Sequence, residues 1–181
     1  MRLIITIAFL VLSIMIPCIA EPDSITTGPY NVSFDLGIPK DAYTVEVAEP
    51  KEEESLAGNA YTTYDIQLRN KTPSSQWAVI TLVSYDDRQK IPSQDDLLKS
   101  TKLAVLQIGD ISNLNGAKRR IDGHDGAVAS GKVNALDMET YLAIYYPSQT
   151  EKVLIGTMYP WDEGALQLLK TIHVKKINST S

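Results

Sequence analysis

Apolar and polar positions alternate along much of the chain. In residues 30–36 (YNVSFDL), Val32, Phe34 and Leu36 fall on one side and Asn31, Ser33 and Asp35 on the other, which predicts a half-buried strand. After a break at 37–40, residues 43–47 resume as a second short strand with TVEV at its heart. Residues 61–68 (YTTYDIQL) alternate again, and 77–85 (WAVITLVSY) is apolar enough for a central strand. A helix opens at Ser93, which can cap it, with Asp96 three residues on in a capping-box-like place. Leu97, Thr101, Ala104, Val105 and Ile108 form one face of that helix, and Gly109 stops it. Residues 110–115 read as a connector. Three more strands are predicted over 117–121, 126–133 and 141–146, the first two joined by a Gly-rich turn at 122–126. The last of these pairs with 153–159 across the turn residues 147–150. Pro160 then precedes a closing helix. Asp162 and Glu163 sit at its positive end, and Trp161, Ala165, Leu168, Leu169 and Ile172 share a face. Lys170 and His173 fall near its negative end.

Strands joined by short turns predict a mainly antiparallel sheet, and two amphipathic helices need an apolar surface to cover. The expected class is therefore α+β. Three blocks carry a resemblance: the opening strand pair YNVSFDL and YTVEV, the helix SQDDLLKSTKLAVLQIG, and the closing VLIGTMYPWDEGALQLLKTIHV. Together they resemble the PsbP/Mog-like family, diffusely and over most of the chain. The resemblance implies an α-β-α sandwich, an antiparallel sheet between helices. It also implies a non-catalytic role, as an accessory subunit of a membrane complex or a binding factor for a protein partner. It transfers no site residue.

The first residues stand apart from this pattern. Arg2 precedes an apolar run over 3–16, and Cys18 and Ala20 supply the small residues that a signal peptidase reads. Residues 1–20 are therefore expected to be a secretory signal peptide cleaved after Ala20, with an uncleaved anchor as the rival. Lipid attachment at Cys18 is disfavoured by Ile16 and Pro17 just before it. Residues 21–29 read as a mobile leader, 30–176 as a single domain, and 177–181 as a tail. The expected location is secreted or at the cell surface or envelope.

Cleavage changes the charge and the available chemistry. Loss of Arg2 from 17 basic residues leaves 16 against 22 acidic ones, a net charge of −6. Loss of Cys18 removes the only cysteine, and with it any disulfide, thiol nucleophile or thiolate metal site. The acidic balance argues against nucleic acid as partner, because phosphates attract Lys and Arg. In an exported chain, Asn31, Asn70 and Asn178 each begin an Asn-x-Ser/Thr triplet and are candidate glycan acceptors.

Candidate chemistry is sparse. His124 lies between Asp122 and Asp125, which invites a metal-dependent or hydrolytic reading. The only other histidine is His173, and no His-Glu-x-x-His spacing or Gly-x-Ser-x-Gly elbow supports that reading. Residues 126–132 fit G-x-x-x-x-G-K, but Val133 stands where a P-loop needs a hydroxyl for magnesium. Glu52, Glu53 and Glu54 form an acidic run that could hold a divalent cation weakly or simply be a solvated hairpin tip. The leading expectation is an exported, non-catalytic binding or accessory protein of a prokaryotic cell envelope, with no cofactor and a protein as partner. The alternative is an enzyme using His124 with Asp122 and Asp125.

Overall fold

A computed structural model describes residues 23–55, 58–71, 77–158 and 162–177. Its strands are β1 (Asp23–Thr27), β2 (Tyr30–Phe34), β3 (Tyr43–Val47), β4 (Lys51–Glu54), β5 (Ala60–Asn70), β6 (Trp77–Tyr85), β7 (Ile111–Ile121), β8 (His124–Val133), β9 (Met138–Ser148), β10 (Glu151–Met158) and β11 (His173–Lys176). Its helices are α1 (Gln94–Leu106) and α2 (Asp162–Thr171).

Eight strands form one antiparallel sheet in the order β3-β5-β6-β10-β9-β8-β7, with β4 pairing the other half of β5. The apolar run of β6 lies inside this sheet, between β5 and β10. A three-stranded sheet, β1-β2-β11, stands apart from it. The main core fills the space between the two. Ile66, Leu68, Ile80, Leu82, Tyr145 and Ile155 of the large sheet meet Tyr30, Val32 and Phe34 of β2 and Leu168 at α2, all buried. On the opposite face α1 covers only the β7–β9 end, where Leu97 packs with Ala127 and Ile144.

The expected α-β-α sandwich is therefore incorrect. Strands make up 58% of the structure and helices 18%, and the two helices do not cover the sheet between them. One face is covered by a second small sheet working with α2. The reason lies in pairing. β1 (DSITT) and β11 (HVKK) are too short and polar to announce themselves, and each is a strand only because β2 offers it an edge. Residues 23–27, read as part of a mobile leader, are accordingly β1. The TIHV block, read as the helix end, instead enters β11. The opening strand pair also divides. β2 is the centre of the small sheet, whereas β3 pairs with β5 in the large one. The connector expected at 110–115 is the first part of β7. The signal segment, with Ala20, lies outside the described residues, as does Asn178. Among the described residues no helix is long and apolar enough to cross a membrane.

The α1 start follows its sequence signal. Ser93 Oγ accepts from the Asp96 amide at 3.2 Å and donates to its carboxylate at 2.6 Å. Leu97, Thr101 and Val105 then turn inward at four-residue spacing. Ser93→Ala should lower stability by about 1 kcal/mol, with Ser93→Asn retaining most of it. A urea-midpoint comparison of the three proteins checks this, and equal midpoints would show that the cap contributes nothing.

Candidate functional site

The β7–β8 hairpin and α2 build the most developed site. Ile121 pairs directly with His124, so the loop between them is only Asp122 and Gly123. Both have positive φ, 50° and 77°, the signature of a type I′ turn. Glycine adopts this region freely, and aspartate tolerates it better than most residues.

This turn aims the Asp122 carboxylate inward, at the end of β11. His173 Nδ1 lies 2.7 Å from Asp122 Oδ1. The Val174 amide donates to Asp122 Oδ2 at 2.9 Å, and the Tyr145 hydroxyl donates to the same oxygen at 3.3 Å. The Asp122 side chain is 7% exposed, so a carboxylate there depends on these donors. Tyr145 is fully buried, and burial first, then the Asp122 charge, raises its hydroxyl pKa far above the ordinary tyrosine value. The cluster latches the small sheet to the large one at a single carboxylate.

The three residues grouped by sequence do not form one hydrogen-bonded cluster, although Asp122 and His124 both meet Tyr145. Asp122 is bound to His173 rather than His124. The His124 ring instead lies near-parallel to Tyr145, with centroids 6.1 Å apart. Asp125 is the next residue along β8, so it points to the opposite side of the strand, and it is exposed. The P-loop-like segment is the body of β8, and Lys132 pairs with Asp137 at 2.5 Å. Glu52, Glu53 and Glu54 lie along β4, exposed and alternating, with Tyr61 donating to Glu53 at 2.7 Å. Among the described residues no three His, Cys, Asp or Glu side chains are grouped to hold a metal ion. Of the glycan candidates, Asn31 shares hydrogen bonds with Ser24 across β1–β2, and Asn70 is 9% exposed at the end of β5.

Beside the latch, a groove of about 870 Å³ runs between α2 and the β7–β8 edge. Its floor is apolar, from Ile121, Val128, Leu169 and Ile172. Leu166 flanks it and is 48% exposed. The rim is cationic. Arg119 comes from β7 and Lys170 from the last turn of α2. Among the described residues neither has an acidic partner within ion-pair distance. Arg120 bends back to the turn, its Nε donating to the Gly123 carbonyl at 3.0 Å.

Sequence reasoning placed Lys170 and His173 at a helix end, with no role at a site, and passed over Arg119. Two signals were available. Asp-Gly between two strands is the strongest short hairpin dipeptide. Three consecutive cations, Lys118, Arg119 and Arg120, are also unusual in an acidic chain. A scan of protein-family models finds no match to this chain, and searches of curated proteins and of solved structures find none either.

Proposed function

We propose that the chain is an exported, non-catalytic binding or accessory protein of a cell envelope, and that it engages another protein through the α2–β7/β8 groove. The observation that carries this reading is the groove itself. It joins an apolar floor to cations that have no acidic partner among the described residues, on a chain whose net charge is −5. Apolar floors supply contact energy and their charged rims select a partner. Leu166 and Leu169 on α2 are the apolar anchors, and Arg119 and Lys170 are the selecting charges. The partner surface is acidic with apolar side chains.

The test is a photoreactive amino acid placed at Leu166 in the exported chain. The expected result is one dominant protein adduct that falls at least fivefold when Arg119→Glu and Lys170→Glu are combined. An adduct pattern indifferent to that charge reversal would sink the reading.

A further inference from the structure

We infer that the groove's partner is an extended acidic–apolar–acidic segment that joins the large sheet as an added strand along β7. The inference rests on the groove being the contact site. β7 ends the large sheet and has a strand partner, β8, on one side only. In a two-residue hairpin the closing pair, Ile121 and His124, exchanges backbone hydrogen bonds. Residues at even spacing from Ile121, including Arg119, bond to β8 in the same way. The N–H and C=O groups of Lys118 and Arg120 therefore point outward. Among the described residues these groups have no backbone partner.

The open edge has two ends. The Asp122-Gly123 turn closes one. At the other, the register shifts between Ser112 and Asn115, and the Gly116 amide is already satisfied by Asn115 Oδ1 at 2.8 Å. A segment of about five residues fits between them at strand rise. Residues 118–120 are all exposed, so nothing described covers this stretch.

The side chains on β7 define what fits. Lys118 reaches Asp95 at the start of α1, so it stands on the face away from the groove; Arg120 leaves β7 on that face by alternation, and it also borders the end of the groove where its Nε bonds the Gly123 carbonyl. Residues opposite them on an added strand meet Arg120 and a Lys118 shared with Asp95, and carboxylates suit both places. The residue between them faces the groove side with Arg119, where an apolar side chain reaches toward Leu166 and the floor. Three consecutive edge cations also repel a basic or self-like strand, which selects against indiscriminate pairing. This is strand addition, with main-chain bonds for affinity and alternating pockets for choice.

The experiment uses the full exported chain and a fluorescent capped peptide of sequence EVELEVE. Binding is expected, weakened at least tenfold by Lys118→Glu with Arg119→Glu, and at least tenfold weaker for KVKLKVK. Amide exchange of Lys118 and Arg120 should slow at least tenfold in the complex, and N-methylation of alternate peptide amides should abolish binding. A peptide that binds equally well when N-methylated, leaving those amides unprotected, overturns strand addition but leaves the groove reading intact. No peptide binding while the Leu166 adduct persists also overturns strand addition. Loss of the charge-sensitive adduct removes the groove reading instead. Self-association of the chain that Glu52→Lys with Glu53→Lys abolishes would give the edge to a second copy and overturn a separate partner.

Discussion

Asp122→Ala should destabilise the protein by about 3–7 kcal/mol, the sum of two effects. The first is loss of a nearly buried acceptor. The Val174 amide and the Tyr145 hydroxyl both donate to Asp122 Oδ2, and each buried donor left without a partner costs about 1–3 kcal/mol. The second is conformational, because φ at this position is +50°. Alanine in that region costs about 1 kcal/mol more than a residue that tolerates it. Asp122→Asn separates the two effects. Asparagine accepts the same φ and keeps one oxygen acceptor, so its loss should be about half as large. His173→Ala should cost under about 1 kcal/mol, since its side chain is 64% exposed and water can replace the contact. Urea unfolding of the three variants decides the matter. If the alanine and histidine variants lose the same small amount, the latch does not hold the two sheets together.

Tyr145→Ala is expected to cost about 3–5 kcal/mol, the range for emptying a buried aromatic site. The ring is fully buried in the main core, between Ala143 on its own strand and the β2 side chains. Tyr145→Phe removes only a 3.3 Å hydrogen bond and should cost about 1 kcal/mol. The same residue governs alkaline stability. Burial raises the Tyr145 pKa strongly, and it raises Tyr30 and Tyr146 to about 12. In the unfolded chain all three titrate near ~10. A raised folded-state pKa means that the native protein holds its proton where the unfolded chain has released it. The stabilising contribution is complete below pH ~10 and is lost as pH climbs from there through the folded-state values. Unfolding midpoints should therefore fall steeply above pH ~10, and less steeply in Tyr145→Phe. Tyrosinate absorbance of the native protein should show a late-titrating fraction that the phenylalanine variant reduces. Identical alkaline profiles for the two proteins would contradict the assignment.

What was legible in the sequence was local. Alternation in YNVSFDL and YTTYDIQL marks strands because one side of each is buried, and Ile66, Leu68, Val32 and Phe34 are the residues inside. Ser93 and the Leu97, Thr101, Val105 spacing marked α1 because caps and helical faces depend on near neighbours alone. The Asp-Gly turn belongs to the same class, although its two-residue length is smaller than the five-residue stretch read from the chain.

Tertiary structure decided everything that requires distant residues to meet. β1 and β11 have little strand signal of their own and exist by pairing with β2 from both ends of the chain. That second, three-stranded sheet turned the expected helix-covered sandwich into a mostly β fold, since β2 completes its backbone bonds with β1 and β11 and lays its apolar side on the large sheet where a helix was expected. The candidate site was decided in the same way. Asp122 and His124 lie two residues apart and both meet Tyr145, but strand alternation turns Asp125 to the other side, and the turn commits the Asp122 carboxylate to Tyr145 and β11. It brings Asp122 to a histidine 51 residues away. Arg119 and Lys170 become one rim only because α2 packs beside the β7–β8 edge. Residue type and spacing settle which backbone a segment prefers. Which surfaces close over which is settled by the burial available in the whole molecule, and the groove and its free edge are products of that second step.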